Sequence, residues 1–71
     1  MSNNDLSFTI KLFAKNLAEK ERDYYDQLYW KIRDVKSQNY DEFVFKYHGM
    51  HSALKNKFYY NSLYKYYERI L

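Results

Sequence analysis

His48 and His51 flank Gly49 and Met50, a spacing of three that on a helix brings two imidazoles within reach of one metal ion. A zinc site needs a third and a fourth ligand. The chain has no cysteine and no H-E-x-x-H pattern, so the pair reads as two surface histidines and no metal or other cofactor is expected. Acid and base chemistry fares no better. Asp41 and Glu42 are adjacent and point to different sides of a helix, whereas Glu19, Asp23 and Asp26 share a face with Lys15, Arg22 and Arg33, the pattern of a solvated, salt-bridged surface. There is no glycine-rich loop to cradle phosphate, and a chain this short has little room for a pocket. The residues therefore argue against an enzyme, and no catalytic residue is assigned.

Two other groupings suggest binding. The segment KFYYNSLYKYYERIL, from Lys57 to Leu71, carries Tyr59, Tyr60, Tyr64, Tyr66 and Tyr67. With Lys55, Lys57, Lys65 and Arg69 it has the ingredients of a nucleic-acid surface, rings to stack bases and cations to neutralise phosphates. On a helical wheel, however, Lys65 and Arg69 fall away from the tyrosines. The second grouping is Phe8, Leu12 and Trp30, which project away from the main apolar stripe of the first helix. A Trp set among Asp23, Asp26 and Arg33 has the character of an interface hot spot with a polar rim. Both groupings suit a protein partner, and the basic end keeps nucleic acid as the alternative.

Composition narrows the class. Seventy-one residues make one small domain, of a size that often needs a staple or a partner to be stable. The net charge of +3 is a mild excess, compatible with nucleic acid without indicating it. Aromatic residues make up 23% of the chain, ten of them Tyr; Tyr joins a large apolar ring to a polar tip and is enriched at interfaces. The opening MSNNDLSFTIKLFAKN lacks a basic stretch followed by an apolar run, and no segment has the ~18 apolar residues of a membrane span. A cytoplasmic location, away from membranes, is the expectation.

The elements that must position these residues are helical. With no Pro and one Gly the chain has few breakers, and its apolar spacing follows threes and fours. Leu6, Ile10, Phe13, Leu17, Tyr24, Leu28 and Val35 form one stripe, predicting a core-facing helix over about residues 5–36, N-capped by Ser2, Asn3 or Asn4. A turn follows at 37–39, where Asn39 and Glu42 have the spacing of a capping box. The next stripe is Phe43, Tyr47, Met50, Leu54 and Phe58. After Phe58 the apolar positions move nearly half a turn round the wheel, to Tyr59, Leu63, Tyr66 and Ile70. This shift predicts a break near Lys55–Lys57, hence helices over about 40–55 and 57–71; a single continuous second helix is the alternative.

The expected fold is all-α, a long N-terminal helix packed against a returning helical segment, as an αα-hairpin or a three-helix bundle. The hairpin form would pair into a homodimeric four-helix bundle. The expected function is a non-catalytic protein-interaction module, a small accessory protein or inhibitor of the kind phages and mobile elements encode. Its protein-binding residues would be Phe8, Leu12, Trp30, Tyr59, Tyr60, Tyr64, Tyr66 and Tyr67, and its partner a host protein complex such as one that processes nucleic acid or serves in defence. A small basic DNA- or RNA-binding protein is the alternative.

Overall fold

The computed structural model describes residues 3–71, with side chains from Leu6 onward. Two antiparallel helices, α1 (Asn3–Asp34) and α2 (Tyr40–Ile70), pack along their length. The loop 35–39 reverses the chain between them. Of the N-caps expected for α1, Ser2 lies outside the described residues, and Asn3 and Asn4 are already helical.

The turn is set by local polar chemistry. Asn39 is extended, with φ −150 and ψ 177, and its Oδ1 accepts the Glu42 N–H at 2.9 Å. Glu42 reaches back, but one residue further than an ordinary capping box, accepting the Gln38 N–H at 2.7 Å. Asp41 and Glu42 then lie in the positive first turn of α2, and Arg69 in its last. No described residue has a positive φ, so the reversal needs no glycine and the sequence VKSQN suffices.

The expected break near Lys55–Lys57 is absent. Residues 40–70 form one helix, so the fold is the hairpin and not three helices. The reason lies in what forms the seam between the helices. Ala18 and Ala53 are the buried apolar residues, 3% and 2% exposed, and Gly49 lies against Ile32 so closely that a Cβ there would sit 3.3 Å from Ile32 Cδ1. These small residues sit at two separate levels of the seam, Ala18 towards the open end and Gly49 and Ala53 towards the loop, and large side chains fill it as well, Tyr25 stacking on Tyr60 and Ile32 lying against Gly49. Other large apolar residues lie to either side of the contact. Phe43, Tyr47, Met50, Leu54 and Phe58 fall on one flank of α2, and Phe45, Tyr59, Leu63, Tyr66 and Ile70 on the other. The half-turn shift in the pattern is thus a change of flank along one straight helix.

The same arrangement overturns the expectation that the long stripe of α1 is the core. At ~100° per residue, Leu6, Ile10, Phe13, Leu17, Tyr24 and Val35 lie roughly 80–140° round the helix from Ala18. All of them are exposed, Phe13 the most at 69%. The molecule is accordingly a thin rod of 59 × 14 × 13 Å. Its radius of gyration, 16.8 Å, compares with about 11 Å for a compact chain of this length.

Candidate protein interface

In an antiparallel pair, residues at equal signed angles from the seam fall on the same side of the hairpin, so the rod has two distinct flanks. On one, the exposed stripe of α1 runs beside Phe45, Tyr59, Leu63, Tyr66 and Ile70 of α2. Val35 and Phe45 line a common hollow at its loop end, which fixes the registration of the two stripes. The polar positions on its arc are Ser52, Asn56, His48 and, at the loop end, Asp41; Lys20, Glu21, Lys31 and Lys55 lie at its margins. This apolar flank extends along nearly the whole rod.

The other flank is mixed. Its middle is a polar clasp across the seam. Lys57 Nζ pairs with Asp26 Oδ1 at 2.8 Å, and Arg22 Nη1 donates to Asn61 Oδ1 at 3.3 Å while Nη2 pairs with Asp23 at 3.1 Å. The Arg22 guanidinium lies 4.8 Å from the Tyr64 ring centre, with Lys15 Nζ at 5.6 Å. The hydrogen bond from Lys57 holds the Asp26 carboxyl below its ordinary range, outweighing the opposing effect of desolvation, with further help from the Lys57 charge and the Trp30 indole. Tyr64 shifts the other way: its hydroxyl donates to the Glu68 carboxylate, which raises its pKa.

Towards the loop the mixed flank becomes aromatic. Trp30 packs edge-on against Tyr29 at 5.4 Å, and Arg33 covers its ring at 5.0 Å. Across the seam, Phe43 and Tyr47 stack at 6.5 Å. Shallow hollows lined by Arg33, Phe43, Tyr47, Met50 and Leu54 join the two groups. Trp30 itself is 48% exposed. It is therefore anchored by neighbours while presenting half its surface.

The residues expected to bind a partner are thus distributed, not gathered. Phe8 and Leu12 are exposed on the mixed flank at the open end, about 27 Å from Trp30 with the polar clasp between. The tyrosines divide. Tyr60, Tyr64 and Tyr67 turn towards the seam and are partly covered, Tyr60 stacking on Tyr25 with ring centres 5.9 Å apart and planes 6° from parallel. Tyr59 and Tyr66 point outward, 59% and 51% exposed, on the apolar flank. Missing from the sequence-derived set are Ile10, Phe13, Leu17 and Phe45, because the first three matched a core stripe and Phe45 matched neither stripe. The pairs Ala14/Ala18 and Gly49/Ala53, each spaced by four, are the signal that would have located the seam elsewhere.

The basic residues do not converge either. Lys57 is engaged by Asp26. Lys55 and Arg69 lie on the side of α2 remote from α1, about 21 Å apart along the axis, and Lys65 lies on the mixed flank. His48 and His51 are exposed; among the described residues no group of three or more His, Asp or Glu side chains is placed to hold a metal ion. No described helix is long and apolar enough to cross a membrane. No protein-family model matches the chain, and no curated protein or solved structure shows significant similarity to it.

Proposed function

We propose that this chain is a non-catalytic protein-interaction module whose exposed aromatic and aliphatic surface is covered by protein in its working state. The observation that carries the reading is the exposure of large apolar side chains along both flanks of the rod, where the hairpin itself buries only Ala18 and Ala53 among the described residues. Contiguous apolar surface on this scale, rimmed by charge on one side, is the mark of an interaction site. Trp30 is the anchor for a foreign partner. Its ring is held by Tyr29 and Arg33, so little side-chain freedom is lost on docking, and Asp23, Asp26 and Arg33 supply the polar rim. Small size and Lys-, Asn- and Tyr-rich composition suit an accessory protein or inhibitor of phage or mobile-element type, acting by occupying a host protein's functional surface.

Capture from a source-cell lysate with and without nuclease, repeated with Trp30→Ala, tests this. A protein retained after nuclease, and bound about 1–4 kcal/mol more weakly by Trp30→Ala, is the expected result. Retention that disappears with nuclease, or with Lys55→Glu and Arg69→Glu but not with Trp30→Ala, would instead make the chain a nucleic-acid binder.

A further inference from the structure

We infer that the apolar flank is covered by the same flank of a second copy of this chain, two hairpins stacking face to face as a four-helix bundle. This deepens the interaction reading and rests on it, assigning one flank to self-association and leaving the Trp30 flank for another protein.

The first argument is area. The chain exposes 5991 Å², whereas a compact protein of 8.9 kDa exposes about 4,800 Å². The excess is about 1,200 Å² per chain. If two copies each bury that much, the joint interface is about 2,400 Å², within the range of obligate homodimers. A hairpin left alone covers about 54% of the surface of its unfolded chain, less than even a 60-residue domain covers.

Length and charge favour a copy over an unrelated protein. The flank is a narrow stripe extending over most of a 59 Å rod, and a partner that covers it must offer an equally long, straight apolar stripe. A second hairpin does so by construction. In an isologous interface one patch meets itself, so any net charge on it meets its like. Ile10, Phe13, Leu17, Tyr24, Tyr59 and Ile70 carry none, and at the margins Lys20, Lys31 and Lys55 are largely offset by Glu21 and Asp41. The mixed flank, crowded with charged side chains, has the opposite character. Stacking the apolar flanks also supplies what the hairpin lacks, a core of large side chains between two layers.

The test is sedimentation equilibrium of the full chain. The expected mass is twice 8.9 kDa at about 10 µM, with Phe13→Glu weakening the dimer at least 100-fold and Trp30→Ala leaving it unchanged. A wild-type chain that is monomeric at about 100 µM overturns the inference, as does a dimer that survives Phe13→Glu and dissociates with Trp30→Ala. Should Phe13→Glu fail to fold, alkylation of single cysteines decides, since the chain has none of its own. Tyr66→Cys should be protected at high concentration and reactive on dilution, and Ser62→Cys, on the far side of α2, reactive throughout; equal reactivity of both at high concentration overturns the inference. The two readings fail separately. A monomer that captures another protein through Phe13 and Tyr59 refutes the second copy alone, whereas a monomer whose Phe13, Tyr59 and Trp30 variants all capture what the wild type captures removes both.

Discussion

Gly49→Ala measures how tightly the seam is closed. Glycine inside a helix costs about 1 kcal/mol relative to alanine, and α2 is unbroken through Gly49, so the substitution should recover much of that. Opposing it is the approach of the new Cβ to Ile32, 3.3 Å from Cδ1 and 3.6 Å from Cγ2. The closer contact is a few tenths of an ångström short. It involves the free end of a side chain that is only partly covered, so Ile32 can yield by a modest torsional adjustment costing about 0.5 kcal/mol. The net expectation is stabilisation by about 0.5 kcal/mol. With an m-value near 1 kcal/mol/M for a chain of this size, the urea midpoint should rise by about 0.5 M at fixed protein concentration. Gly49→Leu should instead wedge the helices apart and cost about 1–3 kcal/mol. If Gly49→Ala destabilised by more than about 1 kcal/mol, Ile32 would have no freedom to move. If Gly49→Leu were as stable as Gly49→Ala, position 49 would not face α1 and the placement of the seam would be wrong.

Three further outcomes follow from the same geometry. Ala53→Leu, at a fully covered position, should destabilise the hairpin by about 1–3 kcal/mol through overpacking, read as a lower thermal midpoint. Asn39→Ala removes the acceptor for the Glu42 N–H and should cost about 1 kcal/mol, again by urea titration. Because Lys57 depresses the Asp26 carboxyl below its ordinary 3.8, the pair contributes stability that is fully present above that value and is lost as pH falls through the lower folded-state pKa. The urea midpoints of wild type and Asp26→Asn should therefore differ at pH 7 and converge under strongly acid conditions; a gap that persists there would mean Asp26 acts through something other than its charge.

The helices were legible from the sequence because their causes are local. Scarce breakers, spacing in threes and fours and the Asn39/Glu42 pair predict two helical arms and the turn between them, whereas the shift in the apolar pattern after Phe58 suggests a break that the continuous second helix does not have. The seam was not legible, for a reason specific to this composition. Pattern reading gives the core to the most strongly apolar stripe, and here the helices meet through Ala18, Gly49 and Ala53 and through half-polar rings such as Tyr25 and Tyr60, whose individual hydrophobic signal is slight. What qualifies these residues is the neighbour each meets on the other helix, a property visible only when two helices are considered together. Trp30 stands out in the sequence as a large ring among charged neighbours; the exposure of Phe13 and Leu17 does not, because an exposed apolar stripe has the same period as a buried one.

That equivalence bears on how the two flanks relate. If the α1 stripe is core, it is the core of an assembly. A wide seam built from leucines would draw the large side chains inward and leave a self-sufficient hairpin with polar flanks. This seam buries only Ala18 and Ala53 among the described residues and covers its tyrosines in part, so covering the flank would add to the hairpin's stability. In the proposed dimer, folding and association would be coupled through one surface, while the polar clasp of Arg22, Asp26, Lys57 and Asn61 ties the helices together on the opposite side. Trp30 lies beyond that clasp, near the loop, where another protein can reach it without disturbing the apolar flank.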